Sequence, residues 1–402
     1  MKKYILFSLI FIFTIVFLND FAYSIPAFAR KYQYSCTTCH APAPRLKPFG
    51  EEFAANGFKL SDPSQEPKRA TIDTGDPILM LLREFPLASR IEGFAAYKEN
   101  AQAETDFQWP WAFKILSGGP ISDKVSYYFY YIIEKGGESG LEDAYLQFNK
   151  PFNLPLDIIF GQYQVSDPLF KRELRLERND YMIYKVTPGY SKIKLTYDRG
   201  ISIIPDLKGI LDLSIGIFNG SGLKEAEGEF NDYDIDKDKS FTLRIAKEIG
   251  PLRVGIFGYT GKEEKILYST PEYSDTVKNK VTYFGPDLVL DLSENFQINL
   301  QYLKRKDTKG IYEYNEGGGE IGEMNTEGGF AEIVWLPAGL EGRYALSILY
   351  NNIDSDDKNS IYENASITFN YLIARNIRFL SEFQRDIEKK KNSLILGVSA
   401  AF

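Results

Sequence analysis

Two thiols and one imidazole stand within five residues. The stretch Cys36-Thr37-Thr38-Cys39-His40 holds both cysteines and the only histidine of the 402-residue chain. C-x-x-C-H is the pattern of covalent c-type haem attachment. The chemistry asks for this spacing, because each thiol adds to a haem vinyl group and the next residue's imidazole then reaches the iron. Cys36 and Cys39 are therefore the expected attachment points of one haem c, with His40 the proximal iron ligand. Zinc is a poorer reading, since a structural zinc site takes four ligands and the sequence has no second Cys/His cluster. A thioredoxin-like motif would need a βαβ context, which is missing. A Cys36–Cys39 disulfide would leave His40 unexplained.

With no second histidine, a sixth ligand must come from elsewhere. Past the N-terminal apolar run the methionines are Met80, Met182 and Met324. Met182 and Met324 fall in or beside expected outer loops, whereas Met80 lies between the haem segment and the first strand. Met80 is the candidate distal ligand, and a thioether there would raise the potential. An open sixth position, or a Met80 that only packs in the linker, are the alternatives.

The elements that must position this group begin with a leader. Lys2 and Lys3 precede an apolar run from Tyr4 to Leu18, and Ala22-Tyr23-Ser24 offers small residues for cleavage. This predicts a signal peptide over residues 1–24 and export to where c-type haem is attached. Residues 25–85 read as a small haem unit with its linker. Pro44 to Gly57 predicts a short helix with Leu46, Phe49 and Phe53 on one face, ended by Asn56-Gly57. That face, with Phe28 and Tyr32, is placed to cover a haem. Ser61 to Pro77, rich in Pro, Gly and charge, reads as a linker.

Residues 86–402 read differently. The chain has 27 Tyr and 29 Phe, yet its mean hydropathy is −0.27. Many aromatics with low hydropathy suit a membrane barrel that hides half its residues in a wet lumen. Phe296, Ile298, Leu300 and Tyr302 alternate with Gln297, Asn299 and Gln301. Tyr344, Leu346, Ile348 and Tyr350 oppose Arg343, Ala345, Ser347 and Asn351. Ala365, Ile367, Phe369 and Tyr371 oppose Asn364, Ser366, Thr368 and Asn370. About sixteen such segments occur, starting near residues 89, 106, 124, 141, 156, 190, 209, 240, 252, 281, 296, 328, 343, 361, 377 and 393. Short connections alternate with long ones, among them Gln164–Gly189, Gly220–Lys239, Lys262–Lys280 and Asp307–Glu327. Short turns face the periplasm and long loops the outside. The last segment, Leu394, Leu396, Val398, Ala400 and Phe402, resembles the assembly signature of such barrels. The expected fold is all-β, an antiparallel transmembrane barrel of about 16 strands with a small, partly helical haem unit at its N-terminus. A soluble β-sandwich would not explain the asymmetry of turns and loops.

Other polar groups bear on partners. The formal charge of −8 argues against nucleic acid. Asp232, Asp234, Asp236 and Asp238 form one acidic loop cluster and Glu313, Glu316, Glu320 and Glu323 a second. Hard cations favour such oxygens, although solvated loops look the same. Lys192, Lys194, Arg244, Arg343, Arg378 and Glu382 are expected to face the lumen. The mixed-charge run Lys171 to Arg178 sits in a loop long enough to fold inward.

The stretch Ile25-Pro26-Ala27-Phe28-Ala29-Arg30-Lys31-Tyr32, the haem motif, then Pro44-Arg45-Leu46-Lys47-Pro48-Phe49-Gly50 and Phe53 resembles the fused monohaem cytochrome–porins of the outer membrane. That family includes iron-oxidising cytochromes. Close resemblance spans roughly residues 25–60, and the barrel matches in architecture. Asn56-Gly57-Phe58 departs from the glycine pair and tyrosine usual in iron-oxidising members. The resemblance implies electron transfer across the outer membrane, from extracellular Fe(II) to a periplasmic c-type cytochrome or other carrier. The alternatives are export of electrons to outside acceptors, a small-solute porin with a haem-bearing plug, and a haem that only stabilises the N-terminal unit.

Overall fold

The structure, a computed structural model, describes residues 27–67, 71–76, 79–134, 137–223, 232–234, 236–269, 274–315 and 318–402. The expected signal peptide lies outside the described residues. Three helices come first: α1 (Ala27–Tyr32), α2 (Cys36–Cys39) and α3 (Pro48–Ala55). A two-stranded ribbon follows, β1 (Thr71–Ile72) with β2 (Leu81–Leu82). The wall then runs β3 (Leu87–Lys98), β4 (Thr105–Pro120), β5 (Val125–Glu134), β6 (Glu138–Asn149), β7 (Leu156–Gln164), β8 (Tyr197–Pro205), β9 (Asp212–Phe218) and β10 (Ser240–Ile249). It continues through β11 (Leu252–Ser269), β12 (Ser274–Ser293), β13 (Phe296–Asn315), β14 (Gly318–Trp335), β15 (Tyr344–Ser355), β16 (Tyr362–Ala374), β17 (Ile377–Asp386) and β18 (Lys391–Ala401).

These last sixteen strands form one closed antiparallel barrel in which each pairs with its sequence neighbours. Closure joins β18 to β3, from Ser393 opposite Lys98 to Ala401 opposite Arg90. Closure leaves no open edge, as a strand structure in lipid requires. The alternation has the expected sense. Phe241, Leu243 and Ile245 of β10 face outward, while Thr242, Arg244 and Ala246 are buried within. Ile367 and Phe369 face outward beside buried Ser366, Thr368 and Asn370. An apolar outer face with a polar inner face is the barrel pattern inverted from a soluble core.

Four expectations need correction. The strand expected near residue 190 starts at Tyr197, so Lys192 and Lys194 belong to the preceding loop. Arg343 precedes β15 and is exposed rather than facing the lumen. Lys262–Lys280 and Asp307–Glu327 are largely strand, carrying β11 to β14 to 18–20 residues each. Strand hydrogen bonds are indifferent to side-chain polarity, so pairing continues past the membrane's edge on charged residues. Lys306 meets Glu323 at 2.7 Å and Lys304 meets Glu327 at 3.0 Å across that extension. The predicted helix over 44–57 is also shorter, leaving Leu46 outside α3.

Candidate functional site

The motif residues sit in a tight turn. Ser35 caps α2 by accepting from the Thr37 N–H, and His40 N–H closes onto the Cys36 carbonyl at 2.9 Å. The chain then doubles back, with Ala41 N–H donating to the Arg45 carbonyl at 3.0 Å. This return sets the imidazole. His40 Nδ1 lies 3.1 Å from the Pro44 carbonyl and 3.2 Å from the Arg45 carbonyl. Carbonyls only accept, so Nδ1 carries the proton and Nε2 keeps its lone pair. Burial also holds His40 below its usual range, which favours the neutral ring. A metal-ligating histidine anchors its second nitrogen in this way.

Gly50 explains how α3 reaches the turn. A Cβ there would stand 2.5 Å from the Cys39 carbonyl oxygen, so only glycine allows the approach. Lys47 N–H donates to the same carbonyl at 2.8 Å. Cys36 and Cys39 are free thiols, and burial pushes both up from their ordinary range. Two free thiols and an imidazole with a lone pair available fit haem c as a donor set. The cleft beside them, between Cys36, His40, Pro42 and the wall residues Leu340, Leu372 and Arg375, holds about 10 Å³. That is about one water, so the cleft as it stands does not enclose a macrocycle. Met80 is half-buried beside β2 and does not line this cleft.

The segment that carries the C-x-x-C-H turn is docked in the short-turn mouth of the barrel. Phe28, Tyr32, Phe53 and Phe58 form an aromatic cluster that packs on Tyr128 of β5. Phe58 stacks on that ring at 5.5 Å. The aromatic face expected to cover a haem thus anchors the unit to the wall. The wall also caps α3: Gln147 and Asn149 of β6 donate to the Ala55 carbonyl, one of the helix's orphan acceptors. Arg30 Nη2 donates to the Leu87 carbonyl at 2.5 Å.

From the other end, residues 165–196 enter the lumen. Sequence length alone suggested the inward fold; its anchors were not legible. Arg178 crosses to β4, stacking over Trp111 at 4.1 Å and donating to Gln108 at 2.9 Å. Glu382 of β17 accepts from the Arg178 and Asn179 N–H groups at 2.7 and 3.0 Å. Asp180 binds Arg172 at 2.5 Å, Arg175 at 2.6 Å and Lys185 at 3.3 Å. Ile183, Tyr184, Ile193 and Leu195 are fully buried in the largest apolar cluster, against Phe257, Tyr283 and Leu303 of the wall. Leu176 packs on Ala41, the residue after the C-x-x-C-H motif, together with Val334 and Ala345. Loop and C-x-x-C-H segment therefore meet inside the barrel. Beside them a cavity of about 1100 Å³ remains, bounded by α3, the loop and the short-turn end of the wall.

The other expected lumen residues are committed. Arg244 pairs with Asp287 at 2.5 Å inside the wall, and Arg378 Nη1 donates to the Leu176 carbonyl at 3.2 Å. In the acidic loop, Lys239 pairs with Asp234, and Lys262 and Lys278 approach Asp238 at 3.9 and 3.3 Å. Among the described residues no group of three or more His, Cys, Asp and Glu is gathered for a metal ion. Glu316 lies outside the described residues.

No family model and no curated protein matches the chain. Solved structures do. A loop-deletion mutant of OmpT, an outer membrane protein of Vibrio cholerae, superposes with TM-score 0.54 at 10% identity, over 79% of this chain and 99% of that one. The outer membrane channel DcaP of Acinetobacter baumannii gives 0.51 at 15% identity, over 79% and 96%. OmpF of Salmonella typhi, in complex with daunomycin, gives 0.51 at 10% identity, over 79% and 97%. The chain has a porin-type barrel fold.

Proposed function

We propose that the chain is an outer-membrane cytochrome–porin that moves electrons across the membrane, most directly from external Fe(II) to a periplasmic carrier. The observation that carries this reading is the seat of the C-x-x-C-H turn, wedged in the barrel mouth with His40 Nδ1 held by two carbonyls. Cys36 and Cys39 would hold haem c, with His40 Nε2 as proximal ligand and Met80 as distal candidate. When bound, the haem supplies one-electron exchange at its iron. The chain's own part is to fix the imidazole, anchor the turn to the wall and shield it from the long-loop end. Its apolar outer face meets outer-membrane lipid, and short turns with the haem segment face the periplasm.

The inward loop argues against a wide diffusion pore, because it leaves the wall between β7 and β8 and its charged tip is bound six strands away, at Glu382 of β17, and at Gln108 of nearby β4. Vesicles carrying the haem-loaded protein, with oxidised cytochrome c trapped inside, provide the test. Added Fe(II) should reduce the trapped cytochrome. Reduction that occurs only after the vesicles are opened would refute the reading. Trapped cytochrome reduced as fast by empty vesicles would refute it equally.

A further inference from the structure

Where the inward loop meets the wall, a carboxylate is buried with nothing bound to it. Glu177 is 5% exposed, and neither of its side-chain oxygens has a hydrogen-bond partner in the protein. A lone ionised carboxylate away from water is among the costliest groups a fold can hold. Its surroundings add to the surplus of acceptors. Glu332 of β14 is the like charge that bears most on it, while the Ser347 hydroxyl of β15 and Glu177's own N–H approach it without reaching full hydrogen-bond geometry. Asn299 of β13 stands directly opposite Glu332, and Ser347 opposite Val334, two residues along the same face. Asn299 Oδ1 and Ser347 Oγ are also buried without partners.

The neighbouring cations make no ion pair with it, although Arg378 is close enough to feel its charge. Arg378 Nη1 donates to the Leu176 carbonyl, and Arg175 binds Asp180 at 2.6 Å. Glu382 is already filled, by the Arg178 and Asn179 N–H groups and the Thr368 hydroxyl at 2.7 Å. Glu332 accepts from the Tyr181 hydroxyl at 3.0 Å and from Asn299 Nδ2 at 2.5 Å, and each oxygen keeps a lone pair. The Ser347 hydroxyl can donate one hydrogen bond and a proton on Glu177 a second, which leaves Asn299 Oδ1 and the remaining carboxylate lone pairs short of donors. A small hard cation would satisfy them together, since such ions take carboxylate, amide and hydroxyl oxygens, with water filling out the shell.

We propose that Glu177 and Glu332, with Asn299 and Ser347, bind one hard divalent cation inside the barrel, tying the inward loop to the wall. This goes beyond the redox reading and needs no haem. The site carries two carboxylates, so neutral oxygens complete it.

The test uses the full chain in detergent, stripped with a chelator and titrated with Mn²⁺ under electron paramagnetic resonance. One Mn²⁺ per chain should bind, with Ca²⁺ in competition. Glu177→Gln should weaken binding at least tenfold, and Asp354→Asn at an exposed position should leave it unchanged. Cys36→Ala/Cys39→Ala protein should bind Mn²⁺ as the parent does, so failure of the haem reading leaves the result interpretable. If Glu177→Gln does not assemble, Ser347→Ala and Asn299→Ala keep both carboxylates and should each weaken binding at least threefold. No stoichiometric Mn²⁺ in the parent, or binding indifferent to all three substitutions, overturns the site and leaves Glu177 as a carboxyl that carries a proton.

Discussion

The wall and its contents are built on different principles. Each wall strand repeats one instruction, apolar out and polar in, and is bonded along its length to two neighbours. The N-terminal C-x-x-C-H segment and the inward loop have little regular structure. Beyond their apolar packing on the wall, they are placed by single side chains: Gly50 against a carbonyl, Gln147 and Asn149 on a helix end, Arg178 on β4. A wall made this way absorbs most substitutions. A plug made this way concentrates its function and its stability in a few residues, so damage to it should be specific and should leave the barrel standing.

The largest effect expected from that contrast is all-or-none. Cys36→Ala/Cys39→Ala should abolish covalent haem, read by haem staining of denatured protein. The barrel should still assemble and shift on heating, because its hydrogen bonds close within the wall. Loss of assembly in this variant would mean that wall and plug fold as one unit.

Next is the wall itself. Ile367 is half exposed on the outer face of β16. Ile367→Lys should cost about 2–4 kcal/mol, the range for a basic residue at the membrane midplane, read by urea titration of folding into vesicles. No measurable cost would place this face in water.

A smaller effect belongs to the anchor of the loop. Glu382→Ala leaves the Arg178 and Asn179 N–H groups without their acceptor. It should destabilise by about 1–3 kcal/mol and raise single-channel conductance as the loop detaches. Conductance equal to the parent's would show that the loop is held without this anchor.

The period-two pattern made the wall legible. Sixteen strands, closure and the sense of alternation all follow from residues such as Phe296 to Tyr302, where each position repeats the same evidence. The ends of strands were less legible, because β11 to β14 run on through charged residues that pair in water as well as apolar ones do in lipid. The clustering of Cys36, Cys39 and His40 in one turn was legible because their spacing is local. The plug's anchors were not. Nothing local in Arg178 or Glu382 says that they meet across the lumen, 204 residues apart. Glu177 read as one more charge in a mixed run. Phe28, Tyr32 and Phe53 were readable as a face, but which partner they cover depends on the distant Tyr128.

The smallest effect concerns the distal ligand. Met80→Ala should leave assembly and haem content unchanged, lower the potential and remove any thioether-to-iron charge-transfer band. Unchanged spectra and potential would assign the sixth position to another group or leave it open.

The central claim is that the plug makes this barrel a redox path. Its most direct test is visible spectroscopy of intact cells carrying the haem-loaded protein, with Fe(II) added outside at neutral pH. The account predicts that reduced c-type haem bands appear in cells with the parent protein and not in cells with the His40→Ala variant. Haem that stays oxidised under external Fe(II), yet is reduced by a donor supplied from the periplasm, would contradict it and make outward electron export the better account.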